Sequence, residues 1–501
     1  MIPVPGFSSK RVAVFGLGRS GLTAARALKA GGAEPVLWDD GISSRMQAEA
    51  EGFSVEDLTT ADWSGFAALV LSPGVPLTHP KPHWTVDKAK AAGVEIVGDV
   101  ELFSRALAAL PPGARPKVVA ITGTNGKSTT TALTAWVLKQ AGLTVHMGGN
   151  IGIGVLALPA PTPGAVYVVE VSSYQLDLTT TFAPDVAILT NVTPDHLDRH
   201  GGMDGYVAAK ARIFRNLRDG QTALIGADER WGRGLVERLP GAVAVRSFPS
   251  SLAEEGGSRS ETDGGAVTAH SPPAGHEDAA TPSERLRRPP SPASGEGVVV
   301  WPGGLNANGR NIDLTPARSL AGRHNAQNAA FAYAAARALG VEHDDAVAGL
   351  ISFPGLAHRM EPVGRLGKVS FVNDSKATNA DAARQALASY ERSFWIAGGR
   401  AKAGGVDDLE DLFPRVQEAF LIGEAAGPFA AALAETPHRI SGDMATAVGQ
   451  AYRAAAATGR EEVVLLSPAA ASFDQFPDFE ARGEAFRAAV LNLGATPFGH
   501  G

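Results

Sequence analysis

The residues best suited to do chemistry stand in one run, Ile121-Thr122-Gly123-Thr124-Asn125-Gly126-Lys127-Ser128-Thr129. The run follows the apolar Lys117-Val118-Val119-Ala120 and leads into a helical stretch over 130–140, with Gly142 placed to cap its end. Glycines let backbone N–H groups turn inward around phosphate oxygens, and the start of a helix adds a favourable dipole. Lys127 is placed to neutralise the β and γ phosphates of ATP, and Ser128 or Thr129 to reach Mg²⁺. The general phosphate-loop spacing asks for glycine where this chain has Ile121, so the match is to a shortened variant. The plainer alternative is a glycine-rich turn with an exposed lysine. Strand, loop and helix in this order favour the nucleotide.

Two further groups stand where parallel sheets gather ligands, at the carboxyl ends of strands. Glu170 closes the apolar Val166-Tyr167-Val168-Val169, and His196 follows a strand over 186–190 in Asn191-Val192-Thr193-Pro194-Asp195-His196. A carboxylate and an imidazole there can hold a divalent cation beside phosphates. Taken singly, a strand-end Glu is more often a rim residue and a loop His a solvated one. Lys210, in the helical Tyr206-Val207-Ala208-Ala209-Lys210, reads by itself as a solvated helix lysine.

Near the N-terminus, Gly16-Leu17-Gly18-Arg19-Ser20-Gly21 follows a strand, and Asp39 ends a second strand about twenty residues on. In isolation this is a dinucleotide fingerprint, which makes an NAD-dependent enzyme the natural rival. The pattern reports only backbone approach to a pyrophosphate, and UDP carries one too. Ser72-Pro73-Gly74 reads locally as an ordinary turn.

The elements that must position these residues recur in three segments, each an apolar strand, a polar or Gly-rich turn and an Ala-rich helix. A length of 501 residues allows about three domains. The fold class expected is α/β in three domains on mainly parallel sheets: Rossmann-like over 1–112, phosphate-loop ATPase-like over 113–354, and Rossmann-like over 355–501. The last has strands expected at 369–372, 394–397, 419–422 and 463–466. Between Pro249 and Glu296 the only large aliphatics are Leu252, Val267 and Leu286, so 249–296 reads as a disordered insertion. Val298-Val299-Val300-Trp301 then resumes a strand, and Asn308-Gly309 marks a tight turn.

Composition narrows the class. No cysteine means no disulfide and no thiolate metal site. The net charge of −7 argues against a nucleic-acid partner. No apolar run approaches the ~18 residues of a membrane span, and no apolar signal core precedes Val12. A cytoplasmic, monomeric enzyme is expected.

Together these motifs resemble the Mur ligase family, from about Val12 to the C-terminus with a break at 249–296. Gly123 to Thr129 is shared by the whole family, folylpolyglutamate synthetases included. Asn373-Asp374-Ser375-Lys376-Ala377-Thr378-Asn379 and Leu466-Ser467-Pro468-Ala469-Ala470-Ala471-Ser472-Phe473-Asp474-Gln475-Phe476 resemble its D-glutamate-adding members. The resemblance implies ATP-dependent addition of D-glutamate to UDP-N-acetylmuramoyl-L-alanine in peptidoglycan precursor synthesis. It makes Lys210 a carbamylated lysine, carrying CO₂, that with Glu170 and His196 serves Mg²⁺. A CO₂ adduct replaces a repelling ammonium with a carboxylate-like anion. Asn325, Asn328, Arg359, Asp374 and Lys376 would hold ATP, the last three from the third domain on closure. Gly18, Ser20, Asp39, Ser72, Gly74 and Asn150 would contact the UDP substrate. Thr378, Lys402, Ser472 and Phe479 would cradle D-glutamate, with the spacing before Lys402 shorter than in other members.

The residues themselves leave plainer readings open. Asn325 and Asn328 share a helical face at i,i+3, but Asn325 also fits an N-cap. Asp374-Ser375-Lys376 also fits a polar turn before a helix capped by Asn379. Ser472 also fits a loop hydroxyl and Phe479 a core residue. The alternative activity is another Mur-type or folylpolyglutamate-type ligase with a different amino acid.

Overall fold

Runs of valine, isoleucine and alanine that read as buried on both faces require helices above and below each sheet. The computed structural model describes residues 1–111, 113–247, 297–320, 322–401 and 404–498. The segment 249–296 and Lys402 lie outside them. The chain divides into two compact units, Met1–Pro316 with Arg323–Ile351, and Ala317–Gly322 with Ser352–Gly501.

The first unit holds two sheets. One is parallel throughout, in the order Ser54–Val55, Glu34–Trp38, Arg11–Phe15, Ala68–Leu71, Glu95–Val97. Alternation along its central strand fills both faces: Val12 and Val14 pack into one apolar cluster, Ala13 and Phe15 into another. The larger sheet runs Arg310–Asp313, Gly304–Ala307, Gly297–Trp301, Val243–Ser247, Thr222–Gly226, Val186–Leu189, Lys117–Thr122, Val166–Glu170, Val145–Gly149. It is parallel except for the hairpins among its last three strands in sequence. Asn308 and Gly309 turn the second hairpin with φ of 50° and 82°, the left-handed pair that a two-residue hairpin turn requires.

The second unit is built on the order His438–Gly442, Val416–Ile422, Ser393–Gly398, Glu462–Leu466, Val369–Asn373, Glu361–Leu366, Thr496–Pro497. Its first five strands are parallel and the final two antiparallel. All four strands expected in this region are present.

Register does the positioning. In the larger sheet Ile121 pairs with Glu170 and Thr122 with Leu189. The phosphate loop, Glu170 and the loop over 190–196 therefore leave one edge side by side. In the smaller sheet Phe15 pairs with both Trp38 and Leu71, which juxtaposes the Gly16 turn, Asp39 and Ser72. In the second unit Asn373 pairs with Leu466, placing Asp374 beside Ser467. Among the described residues no helix is long and apolar enough to cross a membrane.

Candidate functional site

Gly123 and Gly126 take the positive φ that the glycine-rich loop suggested, but the N–H groups of Thr124 and Asn125 donate to the carbonyl and Oδ1 of Asn191. Gly126 has φ of 78° and caps the helix Lys127–Gln140, so Lys127, Ser128 and Thr129 form its first turn rather than preceding it. At Gly123, with φ of 147°, a Cβ would sit 1.9 Å from Thr190 Oγ1. At Gly126 a Cβ would sit 2.7 Å from Asn328 Oδ1. At either position a side chain would displace its neighbour and hold a strained positive φ. Asn191 Oδ1 accepts from the Asn125 N–H at 2.8 Å, and Thr190 Oγ1 donates to the Asn125 carbonyl at 2.6 Å. Thr124 Oγ1 donates to the Thr193 carbonyl and accepts from the Thr193 N–H, at 3.1 and 3.0 Å, and lies 3.1 Å from the Tyr206 hydroxyl. Sequence reading missed Thr190, Asn191 and Tyr206 as loop supports. The first two stood in a stretch already marked for His196.

Lys127 Nζ donates to the carbonyls of Gly123 and Thr124 at 2.9 and 2.7 Å. Lys210 is not the solvated helix lysine that its local sequence allows. It lies on the helix Met203–Ala211 with 2% exposure, and its Nζ donates to the Gly123 carbonyl at 2.7 Å over the Tyr206 ring. Burial holds its pKa well below the ordinary lysine range. The Lys127 charge pushes the same way, and Asp195 and Glu170 oppose it.

Glu170 is 2% exposed. Its Oε1 accepts from Asn150 Nδ2 at 2.9 Å, while Oε2 is buried with no hydrogen-bond partner among the described residues. An orphaned, buried carboxylate oxygen is costly unless a cation or donor meets it. That is the feature expected of a cation ligand. His196 has left-handed backbone, φ 51°, and its ring is 5.0 Å from that of Tyr174. Burial lowers its pKa, Asp195 opposes, and the charges of Lys210 and Lys127 reinforce the fall. Lys127, Lys210, Glu170 and His196 thus share one electrostatic neighbourhood. Among the described residues no group of three or more His, Asp or Glu is close enough to hold a metal by itself.

Asn325 and Asn328 do share a face, with Asn328 Nδ2 donating to Asn325 Oδ1 at 3.2 Å. The helix runs Arg323–Ala338, so Asn325 is inside its first turn and is not the N-cap. Thr130 Oγ1 donates to Asn328 Oδ1 at 3.1 Å, tying this helix to the one after the phosphate loop.

At the first sheet, Gly16 and Gly21 are the glycines that packing requires: a Cβ on Gly21 would lie 2.0 Å from the Gly16 carbonyl. Gly18 caps the helix Arg19–Ala30 with open space where a Cβ would be. Asp39 shapes this turn, accepting from the N–H groups of Leu17 and Gly41 at 2.6 and 2.8 Å. Ser72 Oγ donates to the Gly16 carbonyl at 2.5 Å. Ser20 lies against the buried Asp99, whose carboxylate takes both hydrogen bonds from Gln175 Nε2. Arg19 Nη1 reaches the Gly152 carbonyl at 2.8 Å. Gly74 and Asn150 are exposed.

In the second unit Asp374 is buried, with Oδ2 accepting from Ser467 Oγ at 2.9 Å and Oδ1 from the Met360 N–H at 3.2 Å. Burial pushes its carboxyl up to about 7, opposed by the Ser467 hydrogen bond and the Arg359 charge. Lys376 Nζ lies 4.9 Å over the Phe479 ring, a cation–π contact. Thr378 follows, its N–H donating to the Lys376 carbonyl at 2.8 Å, and Asn379 caps the next helix as expected. Ser472 is 2% exposed, and Phe479 opens the helix Phe479–Asn492 behind the cap Asp478, half-buried rather than core. Arg482, which no motif marked, is 1% exposed and donates to Ser375 Oγ, the Ser375 carbonyl and the Ala470 carbonyl at 3.0, 2.8 and 2.9 Å. It braces the 373–379 turn. Burial lowers its pKa to about 10 against the opposing Asp474 charge.

Residues 121–277 match the Mur ligase middle domain, and residues 358–470 the Mur ligase glutamate ligase domain. The chain is similar to the UDP-N-acetylmuramoylalanine–D-glutamate ligase of Caulobacter vibrioides. Identity is 58% over 501 residues, covering 99% of this chain and 98% of that protein. The protein of the same name from Nitrobacter hamburgensis is 49% identical over 503 residues, covering 99% and 100%. Among solved structures, a UDP-N-acetylmuramate-alanine ligase from Thermotoga maritima aligns over 97% of this chain and 99% of its own, with TM-score 0.53 at 16% identity. That likeness speaks for the fold alone, three domains on mainly parallel sheets.

Proposed function

The chain belongs to the Mur ligase family, and from that premise we propose that it adds D-glutamate to UDP-N-acetylmuramoyl-L-alanine at the expense of ATP. The observation that carries the reading is the convergence on the Gly123 carbonyl of Lys127 and the buried Lys210, beside a Glu170 oxygen that has no hydrogen-bond partner among the described residues.

In the proposed reaction an oxygen of the substrate's terminal carboxylate attacks the γ-phosphorus of ATP, and ADP leaves. The product is an acyl phosphate. The free amine of D-glutamate then attacks its carbonyl carbon, phosphate departs, and the nitrogen sheds a proton as the amide forms. A bare carboxylate is a poor electrophile, which is why activation comes first. Phosphoryl transfer needs mainly positioning and charge neutralisation. Lys127 and the start of the helix that Gly126 caps would supply both, while Asn191 takes the N–H groups of Thr124 and Asn125 and holds the loop's shape. Asn325 and Asn328 hold the nucleotide from the neighbouring helix.

Glu170, His196, a carbamate on Lys210 and the hydroxyl of Ser128 or Thr129 would hold Mg²⁺, which when bound offsets phosphate charge. Carbamylation needs a neutral amine to attack CO₂, and the depressed pKa of Lys210 supplies one. Residues 1–112 bind the UDP substrate through Gly18, Ser20, Asp39, Ser72 and Gly74, with Asn150 from residues 113–354. Residues 355–501 bring Arg359, Asp374 and Lys376 for ATP and Thr378, Lys402, Ser472 and Phe479 for D-glutamate. The reading carries a monomeric enzyme in the cytoplasm, where ATP is at hand.

The test is phosphate release from ATP and Mg²⁺ with UDP-N-acetylmuramoyl-L-alanine, scanning D-Glu, L-Glu, L-Ala, L-Lys and diaminopimelate. Release with D-glutamate alone, and the amide product by mass, is the expected result. Release with a different amino acid keeps the ligase chemistry and overturns the specificity.

A further inference from the structure

His200 has no place in the chemistry described so far, yet it is among the most fully engaged side chains of the first unit. It ends the short helix Leu197–His200 that His196 begins, and its side chain is 3% exposed. Both ring nitrogens have partners on a different element. Nε2 lies 3.0 Å from Ser173 Oγ, and Nδ1 lies 3.1 Å from Asp177 Oδ2. Both partners belong to the helix Ser173–Asp177, which begins three residues after Glu170. The ring faces are covered as well. Tyr174 stacks on it at 5.4 Å and 15°, and Tyr206 lies 5.4 Å away with its hydroxyl on Thr124 of the phosphate loop.

Serine, histidine and aspartate at these distances have the outline of a nucleophilic triad. Burial rules that use out: Ser173 is 3% exposed and the imidazole is closed in by two tyrosines, so no acyl group reaches the hydroxyl. The same contacts suit a pin. His196 holds left-handed backbone without being glycine, a conformation that persists only when its surroundings enforce it. His200 anchors the far end of that segment. Tyr174, stacked on His200, also lies 5.0 Å from the His196 ring.

We infer that His200 is a positioning residue for the ligase reaction. It fastens the loop carrying His196 to the helix that follows Glu170, and so holds imidazole and carboxylate together as one divalent-cation site. The inference rests on the reading of Glu170 and His196 as cation ligands given above. Residues that orient metal ligands from behind typically change affinity by roughly 10- to 100-fold when lost.

The experiment measures Mn²⁺ binding to the full chain with ATP present, by electron paramagnetic resonance, alongside KM for the UDP substrate and thermal unfolding. His200→Phe keeps a ring between the tyrosines but removes both nitrogens. Asp177→Asn removes one partner's charge from a position 25% exposed, where misfolding is not expected. His200→Phe should weaken Mn²⁺ about tenfold and Asp177→Asn less, with the KM for the UDP substrate within about twofold of wild type. Mn²⁺ affinity unchanged in both variants overturns the role of His200. So does a His200→Phe loss that tracks a lowered melting temperature and an equally raised UDP-substrate KM, with Asp177→Asn inert. A wild-type chain that binds no Mn²⁺ with ATP present instead overturns the cation site itself.

Discussion

Lys127 and Lys210 donate to one acceptor, the carbonyl of Gly123, at 2.9 and 2.7 Å. A carbonyl has two lone pairs, so the geometry is allowed, but two ammonium charges so placed repel each other. Burial decides which gives way. Lys210 is 2% exposed and its pKa is pushed down first by that burial and then by Lys127. A neutral Lys210 relieves the repulsion, and a carbamate reverses it.

Lys210→Ala should therefore leave under about a hundredth of the activity, of the order seen when one preorganised charge is lost. Short carboxylic acids should restore part of it by standing in for the carbamate. Full activity in the variant, with no response to acetate or formate, refutes the carbamate role.

Lys127→Ala should lower turnover roughly a hundred- to a thousandfold while the UDP substrate still binds. Its contacts lie on the phosphate loop, and the first-sheet turn is built from other residues. Turnover near wild type removes the loop assignment; isothermal titration with the UDP substrate checks the second half.

Gly123→Ala combines a strained φ of 147° with a Cβ 1.9 Å from Thr190 Oγ1. Overpacking of this kind costs about 1–3 kcal/mol, and here it also displaces the carbonyl that both lysines use. Turnover should vanish and the melting temperature fall. A variant that turns over normally shows that the loop accommodates a side chain.

Asp374 predicts a pH dependence of stability. Its folded pKa of about 7 lies above the ordinary aspartate value of 3.8, so between those two values the native state holds a proton that the unfolded chain releases. The stabilisation is complete below the unfolded value and is lost as pH rises through about 7. Asp374→Asn should flatten that decline. Measured without nucleotide, the urea midpoint of the variant should gain on the wild type between pH 4 and pH 8. Parallel midpoints across that range refute the buried, protonated carboxyl.

Much of this was legible beforehand where the signal is local. Gly123 and Gly126 announced a backbone that needs no Cβ, and Asn379 announced a cap. The strands over 369–372 and 463–466 announced themselves by short apolar runs. Lys210 gave the opposite impression, since a lysine in an alanine-rich helix reads as solvated until Gly123 and Tyr206 are seen to enclose it. Asn325 looked like a cap because Asn suits that position, yet the helix begins two residues earlier. Arg482 and His200 carried no signal, because their partners Ser375, Ala470, Ser173 and Asp177 are remote in sequence.

The sequence by itself determined the α/β class, the glycine-rich turn from strand to helix and the family, because turn chemistry, hydrophobic periodicity and contiguous motifs are short-range properties. Only the tertiary structure decided that Glu170 keeps an oxygen with no hydrogen-bond partner among the described residues, that Lys210 is buried on the loop's own carbonyl, and that burial raises the pKa of Asp374. Those depend on strand register, Ile121 against Glu170 and Asn373 against Leu466, and on desolvation. Desolvation sums contributions from groups that the chain brings together only on folding.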